Sequence, residues 1–166
     1  TGTQPASDHT GRWRVALNGE IYNHRRLRKE LSANGISFQS KSDTEVVAAL
    51  ISVNGLERAL KLCHGMFSLA VLDTVDRRLF LVRDRMGVKP LHWAQLTDGT
   101  IVFASEIKAL RAHPGVQWNL NHEAIHSYLV SEYIPTPQSI WKGVHKVEPG
   151  TWIEFNKDGS HHHEWW

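Results

Sequence analysis

The chain has 166 residues, 41% of them hydrophobic and 22% charged, enough for one domain with a real core and outside the range of disordered chains. A formal net charge of +2 argues against nucleic acid or an anionic membrane as partner, and no stretch approaches the ~20 apolar residues that span a bilayer. The single cysteine, Cys63, excludes an internal disulfide framework; with nothing at the start resembling a signal peptide, it fits a reducing, cytoplasmic setting.

Residues 1–11 are small and polar with Gly and Pro and read as a loop. Residues 13–17 read as a strand that ends in a turn at Asn18-Gly19-Glu20. Residues 23–33 form a basic helix with Leu27 and Leu31 as its buried stripe, stopped by Asn34-Gly35. A short strand is expected at 36–40. Helices follow at 44–53, after Ser42-Asp43, and at 56–62. The apolar runs 66–73 and 78–83 read as a hairpin of central strands. Strands at 91–95 and 101–104 flank the Asp98-Gly99 turn, and Ser105 is the expected N-cap of a helix at 107–112. Asn121 caps a helix ending near Glu132, with Ile125 and Leu129 on its core face; residues 134–137 are extended. Residues 141–147 and 151–155 are expected to pair across Pro149-Gly150. Helices cluster early and strands late, so the pattern implies an α+β sandwich of antiparallel sheets, without repeats.

Asn18, Gly19 and Glu20 carry the chemistry of this chain. Asn supplies a side-chain NH2 donor, Gly leaves its backbone N–H approachable, and Glu adds a negative charge. Two neutral donors side by side suit an oxygen that becomes negative in a transition state. Ser42-Asp43 reads on its own as a helix cap, and Glu20 as a turn residue.

Five blocks in order, Asn18-Gly19-Glu20-Ile21-Tyr22-Asn23-His24, Ser42-Asp43-Thr44-Glu45-Val46, Gly65-Met66-Phe67, the stretch from Arg83 to Leu91 and the stretch from Ala104 to Leu110, resemble the class II glutamine amidotransferase domain of glutamine-hydrolysing asparagine synthetases. The resemblance implies an N-terminal-nucleophile hydrolase sandwich of antiparallel sheets flanked by helices. It implies an oxyanion hole from the Asn18 side chain and the Gly19 N–H, with Asp43 holding the substrate ammonium and Glu20 fixing the amino-acid end. The Arg83–Pro90 stretch would structure the glutamine pocket or a face against a synthetase domain.

The family's nucleophile is a cysteine at the first position of the mature chain, its α-amine acting as base. A free α-amine, of pKa ~7.7 to 8.0, can accept a thiol proton near neutral pH. Thr1 is set aside for that role, because Thr1-Gly2-Thr3-Gln4-Pro5 resembles the family's internal Gly-x-Gln-Pro stretch. The sequence is therefore expected to be incomplete at both ends and inactive by itself. Residues 1–155 would be a partial amidotransferase domain, and 156–166 a linker toward a missing synthetase domain. L-glutamine and that synthetase domain are the expected partners, a homodimer is admitted, and no nucleic acid or membrane is expected. No cofactor is assigned to this chain: ATP and Mg2+ belong to the missing domain, since no Gly-rich phosphate loop occurs here.

Other motifs have plainer readings. Cys63 precedes His64, but sequence neighbours rarely face each other, so Cys63 reads as a packing residue. His122-Glu123-Ala124-Ile125-His126 spells a zinc-protease pattern and is the alternative, a zinc hydrolase; only Glu132 stands near for a third ligand, and the reading adopted assigns no metal. A non-catalytic interaction module with the same fold is the other alternative. The basic run His24–Lys29 reads as a solvated helix face, and Gly159-Ser160-His161-His162-His163 as a surface strand leading to two exposed tryptophans, Trp165 and Trp166.

Overall fold

The computed structural model describes residues 2–166, so Thr1 lies outside the described residues. In chain order the elements are β1 (Ala6–Ser7), β2 (Trp13–Ile21), α1 (His24–Ala33), α2 (Asp43–Asn54), α3 (Leu56–Leu62), β3 (Gly65–Asp73), β4 (Arg78–Arg83), β5 (His92–Gln95), β6 (Ile101–Ala104), α4 (Ile107–Leu110), α5 (His122–Ser131), β7 (Val144–Lys146), β8 (Thr151–Asn156) and β9 (Gly159–Glu164). They form two compact units: the chain up to Lys89 together with Pro149–Trp166, and Pro90–Glu148.

The first unit is a six-stranded antiparallel sheet in the order β1-β2-β3-β4-β8-β9, with a helical layer on it. Strand alternation sends Val15, Leu17, Phe67, Leu69, Val71, Phe80 and Val82 into one core with Leu27 and Leu31 of α1 and the α2 residues Val46, Val47, Leu50 and Ile51. Nearly every α2 side chain from Thr44 to Ile51 is buried, as expected of a helix apolar on all sides. Its start is fixed by Ser42, whose Oγ accepts from the Thr44 N–H at 3.2 Å. Glu45 reaches back from the first turn to the N–H groups of Gln39 and Ser40, at 2.7 and 2.8 Å. Burial opposes the charge on Glu45, but Ser40, those two N–H groups and Arg28 outweigh it and hold the carboxyl below its ordinary range.

The second unit is a three-stranded antiparallel sheet, β6-β5-β7, with α4 and α5. Its core joins Ala94, Leu110, Val116 and Val144, flanked by Trp118 and Trp141, whose rings meet edge to face at 5.3 Å.

The α+β class with antiparallel sheets is as read from the sequence, and several local elements differ. Residues 6–7 form a strand where a loop was expected, because Asp8 gathers the N–H groups of Thr10 and Trp13 into a turn that folds β1 onto β2. Residues 36–40 form no strand, since the Gln39 and Ser40 N–H groups go to Glu45 rather than to a sheet partner. Helix α4 is one turn, preceded by Glu106 rather than capped by Ser105; the Glu106 carboxylate pairs with Lys108 at 2.6 Å. The expected hairpin of 141–147 with 151–155 does not form: β7 pairs with β5, and β8 with β4 and β9. On α5 the buried residue is Ala124, while Leu129 is 76% exposed, so Leu129 does not claim a core face.

Candidate active site

Strand β2 runs through Asn18-Gly19-Glu20 to Ile21 instead of turning there. Gly19 has φ +140°, and a Cβ on it would overlap the Met66 carbonyl oxygen on β3. A residue lacking a side chain is what lets the two backbones approach. Two register steps away, a Cβ on Gly65 would overlap the Glu20 carbonyl oxygen, so two glycines press the site segment of β2 against β3.

The polarity of β2 decides where the Gly19 N–H points. Trp13 donates its N–H to Asp8 Oδ1 at 2.8 Å and accepts the Asp8 N–H at 3.1 Å, on the side away from β3. The Gln4 carboxamide does the same for Leu17, its Oε1 accepting the Leu17 N–H at 2.7 Å and its Nε2 donating to the Leu17 carbonyl at 3.0 Å. Ile21 donates to Asp43 Oδ2 at 3.1 Å. Antiparallel alternation therefore puts the Gly19 N–H on the same edge, between Leu17 and Ile21. Phe67, opposite Gly19 in register, agrees: its N–H and C=O both go to Asp84.

That edge opens onto a cleft of about 440 Å³ whose wall includes Gly19, Glu20, His24, Lys41, Ser42 and Asp43. Asp43 stands in the first turn of α2, where its Oδ1 also accepts the Thr44 N–H at 2.8 Å. Asn18 lies between two residues of the wall, Leu17 and Gly19, without being part of it; it is solvent-exposed and on the same face of β2 as Glu20. The structure thus joins Gly19, Glu20 and Asp43 around one space, with Asn18 at its margin. Both charge signs meet there, since Glu20 and Asp43 face the cleft alongside Lys41.

Two residues that support this arrangement carry little signal in the sequence. Gln4 imitates a neighbouring strand along Leu17, and only its place in Gly-x-Gln-Pro marks it. Asp84 is 1% exposed, and its carboxylate accepts the N–H groups of Phe67, Met86, Val88 and Lys89, between 2.9 and 3.3 Å. Arg83 caps the same loop by donating to the carbonyls of Lys89 and Gly87. Arg83 and Asp84 therefore organise their own loop, while Arg85 reaches out of it to the carbonyls of Cys63 and Lys61.

Cys63 is 1% exposed, and burial pushes its thiol up to about 12, with the nearby charge of Arg85 pulling the other way. A thiol held there stays protonated near neutral pH. His122, Glu123 and His126 are exposed on α5, and among the described residues no three His, Cys, Asp or Glu groups are placed to hold a metal. Trp165 is 3% exposed rather than exposed, with its ring stacked on Phe67; Trp166 is exposed. Residues 159–164 form the sheet's edge strand β9. Among the described residues no helix is long and apolar enough to cross a membrane.

A family model described as "Glutamine amidotransferase domain" matches residues 1–166. Asparagine synthetase [glutamine-hydrolyzing] 1 of Bacillus subtilis is 37% identical over 159 residues, covering 96% of this chain and 25% of its own length. A putative asparagine synthetase [glutamine-hydrolyzing] of Mycobacterium tuberculosis is 38% identical over 151 residues, 89% of this chain and 23% of that one. The chain thus spans about a quarter of these curated relatives. Among solved structures, glutamine phosphoribosylpyrophosphate amidotransferase from B. subtilis, complexed with ADP and GMP, superposes with a TM-score of 0.68 at 23% identity, over 98% of this chain and 32% of that one. A glutamine aminotransferase class-II domain protein from Silicibacter pomeroyi gives 0.60 at 12% identity, over 93% and 68%. At such identities the two structures speak for the fold alone. The chain belongs to the glutamine amidotransferase domain family.

Proposed function

We propose that this chain is the glutaminase portion of a glutamine-hydrolysing asparagine synthetase, and that the cleft beside Gly19 seats L-glutamine. The Asp43 carboxylate and Glu20 receive the α-ammonium end of the substrate. The Asn18 amide and the Gly19 N–H donate to the side-chain carbonyl oxygen as it gains charge. One donor of that kind typically lowers the barrier by ~2.7 to 4 kcal/mol. The reaction begins with a thiolate adding to the glutamine carboxamide carbon; the tetrahedral intermediate expels ammonia as its nitrogen is protonated. Water then hydrolyses the thioester to glutamate and regenerates the thiol. Cys63 is not that nucleophile, because it is buried with a raised pKa. The family's N-terminal cysteine takes the role.

The observation that carries the reading is the run along the β2 edge: Leu17 and Ile21 spend their N–H groups on Gln4 and Asp43, and Gly19 turns its own toward the cleft between them. The kinship with glutamine-hydrolysing asparagine synthetases supplies the substrate class. The ammonia passes to an activated carboxylate in a synthetase portion, where ATP and its Mg2+ are substrates and no residue described above is engaged.

Amide-resolved NMR tests the assignment. Millimolar L-glutamine is expected to shift the Gly19, Ile21 and Thr44 amides together, and D-glutamine to leave them in place. Shifts confined to α5 or β9 would refute it.

A further inference from the structure

The tail of the first unit reaches the strand opposite the proposed oxyanion donor. Phe67 is fully buried and faces Gly19 in the β2–β3 register. Its ring stacks on Trp165 with centroids 6.1 Å apart and planes 21° from parallel. The Arg85 guanidinium sits 4.9 Å from the centre of the same indole, and Arg85 also donates to the carbonyls of Cys63 and Lys61, just ahead of β3. Trp165 donates its backbone N–H to the Gly150 carbonyl at 3.0 Å, and Gly150 donates to the Asp84 carbonyl at 2.9 Å. Asp84 closes the circuit: its carboxylate accepts the Phe67 N–H at 3.3 Å, and its own N–H goes to the Phe67 carbonyl at 2.9 Å.

Two details say what the indole does. Its Nε1–H is buried without a hydrogen-bond partner among the described residues, so stacking on Phe67 and the Arg85 cation hold the ring, not a polar tether. And Gly19 has no side chain of its own to fix its peptide: the Met66 carbonyl occupies that space, so the Met66–Phe67 peptide sets where the Gly19 backbone lies.

We infer that Trp165 is a positioning residue for the oxyanion donor: by holding Phe67 against Asp84 it fixes the peptide that presents the Gly19 N–H to the cleft. The catalytic meaning of this rests on the function proposed above; the mechanical link does not. It makes Trp165, which directly follows β9, part of the site's support.

The test compares amide spectra and glutamine affinity of the 166-residue chain with those of Trp165→Leu, Trp165→Phe and Trp13→Leu. Trp165→Leu removes the stack while filling more of the buried space than Trp165→Ala would, which makes it the milder probe. It is expected to shift the Gly19 and Phe67 amides more than the other β2 amides and to weaken glutamine binding about tenfold. Trp165→Phe keeps a stacking ring and restores both. Trp13→Leu destabilises the same core from the Phe80 side and leaves Gly19 in place. A Gly19 amide unmoved in Trp165→Leu, or moved equally in Trp13→Leu, overturns the inference. If Gly19 responds to Trp165→Leu while glutamine shifts neither Gly19 nor Asp43 in the unsubstituted chain, the positioning stands and the functional reading falls.

Discussion

The carbonyl oxygen of Met66 fills the volume that a side chain at Gly19 would need, so the β2–β3 contact at the site is made backbone to backbone. This closeness, with φ of +140° at Gly19, turns a glycine inside a strand from a weakness into a requirement.

Gly19→Ala should therefore destabilise the chain by about 2 kcal/mol or more, combining an unfavourable φ with a clash against rigid backbone. Urea unfolding reads this as a lowered midpoint. Gly11→Ala, at a positive-φ glycine with open space around it, should cost about 1 kcal/mol. Equal costs at the two positions would mean that the Met66 contact is not what selects glycine.

Asp43 serves both as an acceptor for the Ile21 and Thr44 N–H groups and as the proposed ammonium partner. Asp43→Asn keeps an acceptor oxygen but loses the charge at the α2 N-terminus, a cost of about 0.5–1 kcal/mol in stability. Glutamine binding, followed by amide shifts, should weaken tenfold or more. A variant that binds glutamine normally would remove Asp43 from the substrate site.

Asp73 is fully buried at the far end of β3, held by Arg12 at 2.7 Å and Arg78 at 3.1 Å. Burial would raise its pKa, but the hydrogen bonds from Arg12, the Asp76 N–H, Arg78 and the Val75 N–H prevail and hold it well below the ordinary carboxylate range. A depressed folded-state pKa stabilises above the unfolded value near 3.9, and that contribution is lost as pH falls through the folded value. Asp73→Asn should thus cost about 2 kcal/mol at pH 7, and the gap to the parent chain should close progressively below about pH 4. Denaturant midpoints across pH check this; a gap that widens in acid would contradict it.

Cys63 should resist an aromatic disulfide reagent at pH 8 in the folded chain and react fully in urea, as a buried thiol with a pKa of about 12 requires. The same chain, whose one cysteine this is, should release no glutamate from glutamine. Rapid labelling of the native protein, or measurable glutamate, would reopen Cys63 as a nucleophile.

What the sequence made legible was local. The apolar runs of β3 and β4, the Ser42 cap and the Asn34-Gly35 and Gly55 stops are short-range signals, and those elements formed where their spacing puts them. The misses share one cause: the deciding partner is distant in sequence. Asn18-Gly19-Glu20 looks like a turn until Met66 is known to press on Gly19; 141–147 looks like a hairpin arm until β5 claims it; Trp165 looks exposed until Phe67 and Arg85 cover its ring. Gly19, Glu20 and Asp43 could be singled out because their residue types carry chemistry and the resemblance covered them. Gln4 and Asp84 act through backbone groups, which leave no pattern in a single sequence.

The most direct measurement is a crystal structure of the chain soaked in saturating L-glutamine. The account places the carboxamide oxygen within about 3.1 Å of both Asn18 Nδ2 and the Gly19 nitrogen, with the ammonium on Asp43. Glutamine seated with its carboxamide away from Gly19, or Asn18 turned out of reach of it, would contradict the claim.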